Sequence, residues 1–131
     1  MNTKEKGERS EAQILAHVVE KGYVPSIPFG NNQRYDLILD DGHRLKKIQC
    51  KTAWVADGCV VFQTASKNGF TGKRRDYKGQ VDLFLVYCRE LKTFYRVPVD
   101  KAPSTEMRLR ITALKRTAPL TSVNWAKDYQ F

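Results

Sequence analysis

Tyr35-Asp36-Leu37-Ile38-Leu39-Asp40-Asp41-Gly42-His43-Arg44-Leu45-Lys46-Lys47-Ile48-Gln49-Cys50-Lys51-Thr52 is the stretch on which the fold turns. Two β-prone runs flank Asp41-Gly42, a dipeptide that favours the positive φ angles of a tight hairpin turn. Tyr35 to Leu39 is expected to form one arm and Leu45 to Thr52 the other. With Asp41 and Gly42 at the two turn positions, Asp40 falls opposite His43 and Asp36 opposite Lys47. Side chains alternate faces with period two, so Asp36 shares a face with Lys47, Gln49 and Lys51. The other face, carrying Tyr35, Leu37, Leu39, Ile48, Cys50 and Thr52, is mostly apolar. A carboxylate, an amide and an amine therefore gather on one side of this hairpin.

Upstream, Glu8 to Lys21 has the periodicity of an amphipathic helix, with Ile14, Leu15, Val18 and Val19 as its stripe and Gly22 as its stop. Glu11 lies within roughly 60° of Ile14, Leu15 and Val18, on the side that should face the sheet. Gln13 and Glu20 point the other way. An inward carboxylate is costly unless it meets a cation, a metal or a donor. Tyr23 to Ile27 is short and β-prone, limited by Pro25 to an edge or a strand start. Pro28 to Gln33 is rich in turn formers.

Downstream, Cys59 to Thr64 should be a strand entered through Asp57-Gly58. Val81 to Tyr87 is apolar enough for a central strand, with Asp82 inside it as either a satisfied structural carboxylate or an accessory acid. Phe94 to Val99 should pair with it. Beyond Asp100 only the alternation of Met107, Leu109 and Ile111 stands out, ahead of a tail with Trp125 and Tyr129. There is no internal repeat and no low-complexity tract. Helix followed by strands makes this an α+β or α/β core in a single domain, residues 1–131.

Charge narrows the partner. Among 131 residues, 23 Lys and Arg stand against 14 Asp and Glu, a net charge of +9. Such an excess suits a polyanion, because phosphate contacts release counterions. No run approaches the roughly 18 apolar residues of a membrane span, and the N-terminus has no apolar signal core. Cys50, Cys59 and Cys88 are too scattered for a zinc site, with only His17 and His43 beside them. They read as reduced, mostly buried, structural thiols of a cytoplasmic protein. His43 should be an exposed turn residue. Acidic groups beside a lysine fit phosphodiester hydrolysis with a hard divalent ion.

Asp36, then twelve residues, then Gln49-Cys50-Lys51 resembles the PD-(D/E)xK nuclease motif in its QxK form. The chain is similar to the branch containing a small group I intron homing endonuclease of cyanobacteria. The likeness runs through Lys6-Gly7-Glu8, Glu11, Gly22-Tyr23, Arg34-Tyr35-Asp36-Leu37, Ile48-Gln49-Cys50-Lys51-Thr52 and Gly79-Gln80-Val81-Asp82-Leu83-Phe84-Leu85-Val86-Tyr87. It implies a restriction-endonuclease-like α/β core: a mixed β-sheet flanked by helices, with the N-terminal helix carrying Glu11. It also implies that Asp36, Gln49 and the Cys50 backbone carbonyl bind Mg²⁺ or Mn²⁺, that Glu11 contributes from the helix, and that Lys51 serves the water or the transition state. Gln49 stands where an acid is commoner, which removes a negative charge from the metal site unless Glu11 restores it.

The activity implied is site-specific cutting of double-stranded DNA by a homo-oligomer, a dimer or a tetramer. A Holliday-junction-resolvase-like nuclease would share the catalytic face, an inert DNA-binding module would share only the fold, and a basic ribosome-associated protein would prefer RNA and ignore metal. Residues 66–80 hold the densest basic segment, with Lys67, Lys73, Arg74, Arg75 and Lys78 against Asp76. With Arg34, these five cations are expected to contact DNA. Phe70 and Tyr77, interleaved among them, are either DNA-facing or core. A second basic run, Arg108, Arg110, Lys115 and Arg116, could touch the phosphate backbone.

Overall fold

Asn2 accepts the Glu5 backbone N–H on its side chain at 2.8 Å, and this cap starts helix α1 (Thr3–Glu20) ahead of the apolar stripe. The helix ends at Gly22, where φ is +86°. The computed structural model describes residues 1–113 and 123–131, so Lys115 and Arg116 of the second basic run lie outside the described residues. The strands are β1 (Val24–Ser26), β2 (Leu37–Asp40), β3 (Leu45–Ala56), β4 (Cys59–Gln63), β5 (Ala65–Lys67), β6 (Arg74–Asp76), β7 (Leu83–Cys88), β8 (Thr93–Pro98) and β9 (Glu106–Arg110). Short 3₁₀ turns occupy Val99–Lys101 and Ala126–Asp128.

The long strand β3 organises the sheet. Leu45–Ile48 pair with β2, Ile48–Ala53 pair in parallel with β7, and Trp54–Ala56 pair with β4, which pairs with β9. β1 extends the β2 edge and β8 the β7 edge. The sheet is therefore mixed, as expected, with one parallel pairing, and β7 is the central strand that its apolar run implied, buried along its whole length.

Period-two alternation separates two apolar layers. Ile14 and Val18 of α1 pack on Leu37, Leu39, Ile48, Leu83, Leu85 and Tyr87. On the reverse face Val60, Phe62, Met107 and Leu109 from β4 and β9 fold over Phe84, Val86, Tyr95 and Val97. Where flanking helices were expected, a single α-helix lies against the sheet among the described residues, and β4 with β9 cover the other side. Val19, expected in the helix stripe, is exposed, since the sheet is met by Ile14 and Val18 with Leu15 half-buried.

The tail, unreadable in sequence, closes the structure. Trp125 bridges to Arg110 and Gln130 to Tyr95, and Phe131 lies edge-on to His17, whose Nε2 donates to the Phe131 main-chain oxygen at 2.9 Å.

The β3–β4 turn uses Asp57 (φ +51°) and Gly58 (φ +72°). A Cβ at residue 58 would run into the Thr112 hydroxyl as well as hold an unfavourable φ. Gly58→Ala is expected to cost about 2 kcal/mol, from left-handed strain of about 1–2 kcal/mol plus the clash. Urea denaturation checks this; an unchanged midpoint would show that the turn relaxes freely.

Candidate active site

The hairpin differs from the tight two-residue turn in one respect that matters. Its pairs are Asp40 with Leu45, Leu39 with Lys46, Ile38 with Lys47 and Leu37 with Ile48. Asp41 to Arg44 form a four-residue loop, because the Asp41 carboxylate accepts the backbone N–H groups of His43 and Arg44 at 2.9 and 2.8 Å, and Asp40 accepts that of Gly42. The Arg44 and His43 amides hold the Asp41 carboxyl down to about 2. The register slips by two residues, so each residue keeps its face while Asp36 moves away from Lys47. His43 is exposed, as expected.

At Asp36 the ladder stops. Its N–H donates to the Ile48 carbonyl at 2.8 Å, and its Oδ2 accepts the Cys50 N–H at 2.8 Å, taking the place of a strand carbonyl. From Gln49 to Ala53 β2 no longer pairs with β3, whose only strand partner there among the described residues is β7, before Trp54 meets β4. The result is a fork in the sheet with Asp36 at its apex. Gln49 Nε2 sits 3.5 Å from the Cys50 carbonyl, within the same fork.

Glu11 comes to this apex from the helix side and Lys51 from the other face of β3, so the helix acid does not join the hairpin face that alternation gives to Gln49 and Lys51. Cys50 and Thr52 face the helix, where Thr52 Oγ1 donates to Ser10 Oγ at 2.7 Å. Gln49 and Lys51 alternate onto the other side. Glu11, one residue after Ser10, points inward as predicted and is half-buried. Asp36 joins the two faces: its charge acts on Glu11, and Lys51 acts on it.

Burial raises the Asp36 carboxyl above its ordinary value, opposed by the Cys50 N–H and by Lys51. Burial also raises Glu11, and the neighbouring charges of Asp36 and then Glu8 add to it. Burial, Asp36 and Glu11 together push the Cys50 thiol well up, so it stays protonated. Cys50, Cys59 and Cys88 are all free thiols.

Lys51 donates to Tyr77 Oη at 3.2 Å, with its ammonium 4.7 Å from the Tyr77 ring centre. Tyr77 is buried, whereas Phe70 is fully exposed, so the structure divides the two aromatics that sequence left undecided. Arg34, expected to touch DNA, is committed inside the protein. Its Nε donates to Gln80 Oε1 (2.8 Å), Nη1 to Ser66 Oγ (2.6 Å) and Nη2 to the Asp76 and Arg75 carbonyls (2.5 and 3.3 Å). Nothing local in the sequence marks the Arg34–Tyr77–Lys51 group, whose members lie far apart in the chain.

The other expected DNA contacts, Lys67, Lys73, Arg74, Arg75 and Lys78, are all exposed, on or beside a hairpin made by β5 and β6. Arg108 and Arg110 are engaged locally instead: Arg108 pairs with Glu106 and Asp57, and Arg110 donates to the Asp57 and Thr112 carbonyls. Asp82 is exposed and structural, accepting the Lys47 N–H while its own N–H donates to the Lys47 carbonyl. Lys51 opens onto a cleft of about 660 Å³ between the start of α1 and the second half of β3, lined also by Lys6, Arg9, Trp54, Arg89 and Glu90.

A sequence model of the PD-(D/E)XK endonuclease family matches residues 1–131. The chain belongs to that family. This PD-(D/E)XK endonuclease is also similar to a solved structure described as a bacterial homing endonuclease, I-Ssp6803I, with 26% identity and a TM-score of 0.79, over 99% of this chain and 89% of that one. No curated protein matches it. Its restriction-endonuclease-like fold and its nuclease class follow, and its substrate is DNA. No helix among the described residues is long and apolar enough to cross a membrane.

Nucleases of this family generally use divalent metals. Among the described residues no three or more His, Cys, Asp or Glu cluster as a metal site, because two of the four expected oxygen donors here are an amide and a backbone carbonyl. The set still fits a hard cation. Asp36 and Glu11 crowd their negative charges together, and Asp36 has one oxygen left after serving Cys50.

Proposed function

We propose that this endonuclease is a Mg²⁺- or Mn²⁺-dependent, site-specific double-strand DNA endonuclease of the homing type. Glu11, Asp36, Gln49 and Lys51 are its catalytic residues. The observation that carries the reading is the fork at Asp36, where a second acid from the helix and a lysine from the reverse face converge on an opening in the sheet. Asp36, the Gln49 amide oxygen, the Cys50 carbonyl and Glu11 would hold the cation. When bound, a divalent cation supplies a Lewis acid for the phosphate oxygens.

Lys51 orients the attacking water or neutralises charge building on the phosphoryl group. Tyr77 and Asp36 fix where its ammonium lies. Gln49 in place of an acid lowers the negative charge at the site, and the Glu11 carboxylate, brought close to Asp36 from the helix, would restore it. Lys6, Arg9 and Arg89 line the cleft beside Lys51 and would meet the phosphates of a strand laid along it.

The β5–β6 hairpin presents Lys67, Lys73, Arg74, Arg75 and Lys78 to DNA, a ribbon of the kind that enters the major groove. Its tip is ordered by Asn68, which accepts the Phe70 and Thr71 N–H groups, so Phe70 is held out in solvent beside the cations. With about six phosphates neutralised, log K should fall against log salt with a slope near −5. A slope near zero in a filter-binding titration would remove the phosphate-contact role from this surface.

Cutting both strands at a symmetric target takes at least two copies of the site, and a dimer or tetramer supplies them. The test is cleavage of a random-site double-stranded DNA library in Mg²⁺, with the cut ends sequenced. A recurrent, symmetric site is expected. Random ends would refute site specificity, and cutting confined to an added four-way junction would transfer the activity to the resolvase class.

A further inference from the structure

The β5–β6 hairpin is a sheet of its own, paired with no other strand among the described residues. Its seat on the core is nevertheless specific. Arg34 grips it at Ser66 in β5 and at the Arg75 and Asp76 carbonyls in β6, and bonds Gln80 beyond it. The same guanidinium lies 4.0 Å from the centre of the Tyr77 ring, the residue that leaves β6. Tyr77 in turn packs edge-on to Phe84 of β7 and places its hydroxyl 3.2 Å from Lys51 Nζ.

A buried phenol normally finds a hydrogen-bond partner. Here the partner is the one amine that the fork brings to Asp36, and both cations lie against a single ring. Cation–π contact and a hydrogen bond from one residue restrain a lysine that has four rotatable bonds and would otherwise sample many positions.

We infer that Tyr77 is a positioning residue for Lys51, clamped by Arg34 at the root of the β5–β6 hairpin. The hairpin and the catalytic lysine then share one support, so a hairpin seated correctly on its target also sets the lysine. The inference rests on the role given to Lys51 under Proposed function. It moves Arg34 from the DNA surface to the link between that surface and the reaction centre.

Tyr77→Phe removes only the hydroxyl and keeps the ring, its packing on Phe84 and the stack under Arg34. Using the duplex recovered from the random-site library, single-turnover cutting by Tyr77→Phe is expected to slow by roughly tenfold or more, since small misplacements of a catalytic group are costly. Its Kd for the duplex in Ca²⁺ and its Tm should match those of the native chain. Native-rate cutting by this variant overturns the inference, and so does a parallel loss in Kd or Tm, which reduces Tyr77 to packing.

Lys51→Ala, run alongside, separates the two readings. If Lys51→Ala cuts normally, the site assignment falls and the inference with it; if it is inactive while Tyr77→Phe cuts normally, only the positioning role is lost. A measurement without DNA stands beside these. The Lys51 ε-methylene protons, identified by their absence in Lys51→Ala, should resonate upfield of the other lysines through the Tyr77 ring current. Tyr77→Leu should return them to the ordinary range. Unshifted resonances in the native chain would refute the contact itself.

Discussion

Lys51→Ala is expected to cut DNA roughly 10²–10³-fold more slowly than the native chain, the usual loss when one preorganised charge is removed from a reaction centre. Its affinity for DNA in Ca²⁺ should be nearly unchanged, because the exposed cations of the β5–β6 hairpin remain. The reasoning is electrostatic. Burial raises the Asp36 carboxyl, and the Cys50 N–H and then the Lys51 cation oppose that rise. Without Lys51, Asp36 is left with the Cys50 N–H as its main compensation, and phosphate entering the fork meets no amine there. Single-turnover cutting and equilibrium binding on the same duplex distinguish the outcomes. Native-rate cutting would exclude Lys51 from the chemistry, and a large loss of affinity would place it in binding instead.

Much of this arrangement was legible in the sequence, for physical reasons that differ from one residue to the next. Alternation along Leu45 to Thr52 is a local property, so the separation of Ile48, Cys50 and Thr52 from Gln49 and Lys51 holds although the turn has four residues and not two. The slip by two residues preserved parity; a slip by one would have exchanged the faces and destroyed the site. Glu11 was identifiable because an acid among Ile14, Leu15 and Val18 violates the helix pattern unless something inside needs it. Its approach from the face opposite Lys51 was not identifiable, because it depends on where β2 ends and how β3 continues past it. In sequence, Arg34 is one more cation that suits DNA. Four hydrogen-bond contacts to residues between 66 and 80 decide otherwise, and contacts at that separation leave no periodic trace. The same holds for Phe131, whose packing against His17 and Tyr23 closes the helix onto the sheet.

The paired acids lead to a result that runs against the usual acid sensitivity of proteins. Glu11 and Asp36 both have carboxyls raised above their ordinary values, mainly by burial. A group raised in the folded state contributes stability at pH below its unfolded pKa and loses it as the pH climbs through the folded one. In metal-free buffer, the pair should therefore cost stability as pH rises from the ordinary carboxylate range toward neutrality. Glu11→Gln removes one charge and relieves its neighbour. At pH 7 in chelator it should raise Tm, by a modest amount because solvent screens a half-buried carboxylate. The advantage should vanish near pH 4, where the native acid is itself protonated. Divalent cation should reverse the order at neutral pH. A ligand that binds the folded state alone stabilises it by RT ln(1 + [L]/Kd), so Mg²⁺ or Mn²⁺ should raise the native Tm and leave Glu11→Gln and Asp36→Asn almost unmoved. Both variants should also fail to cut. Differential scanning across pH, with and without cation, reads all of this on the protein alone. A Glu11→Gln variant less stable than the native chain in chelator at pH 7 would mean that Glu11 is already neutralised within the fold. An equal Tm rise with cation in native and variant chains would mean that the ion binds elsewhere.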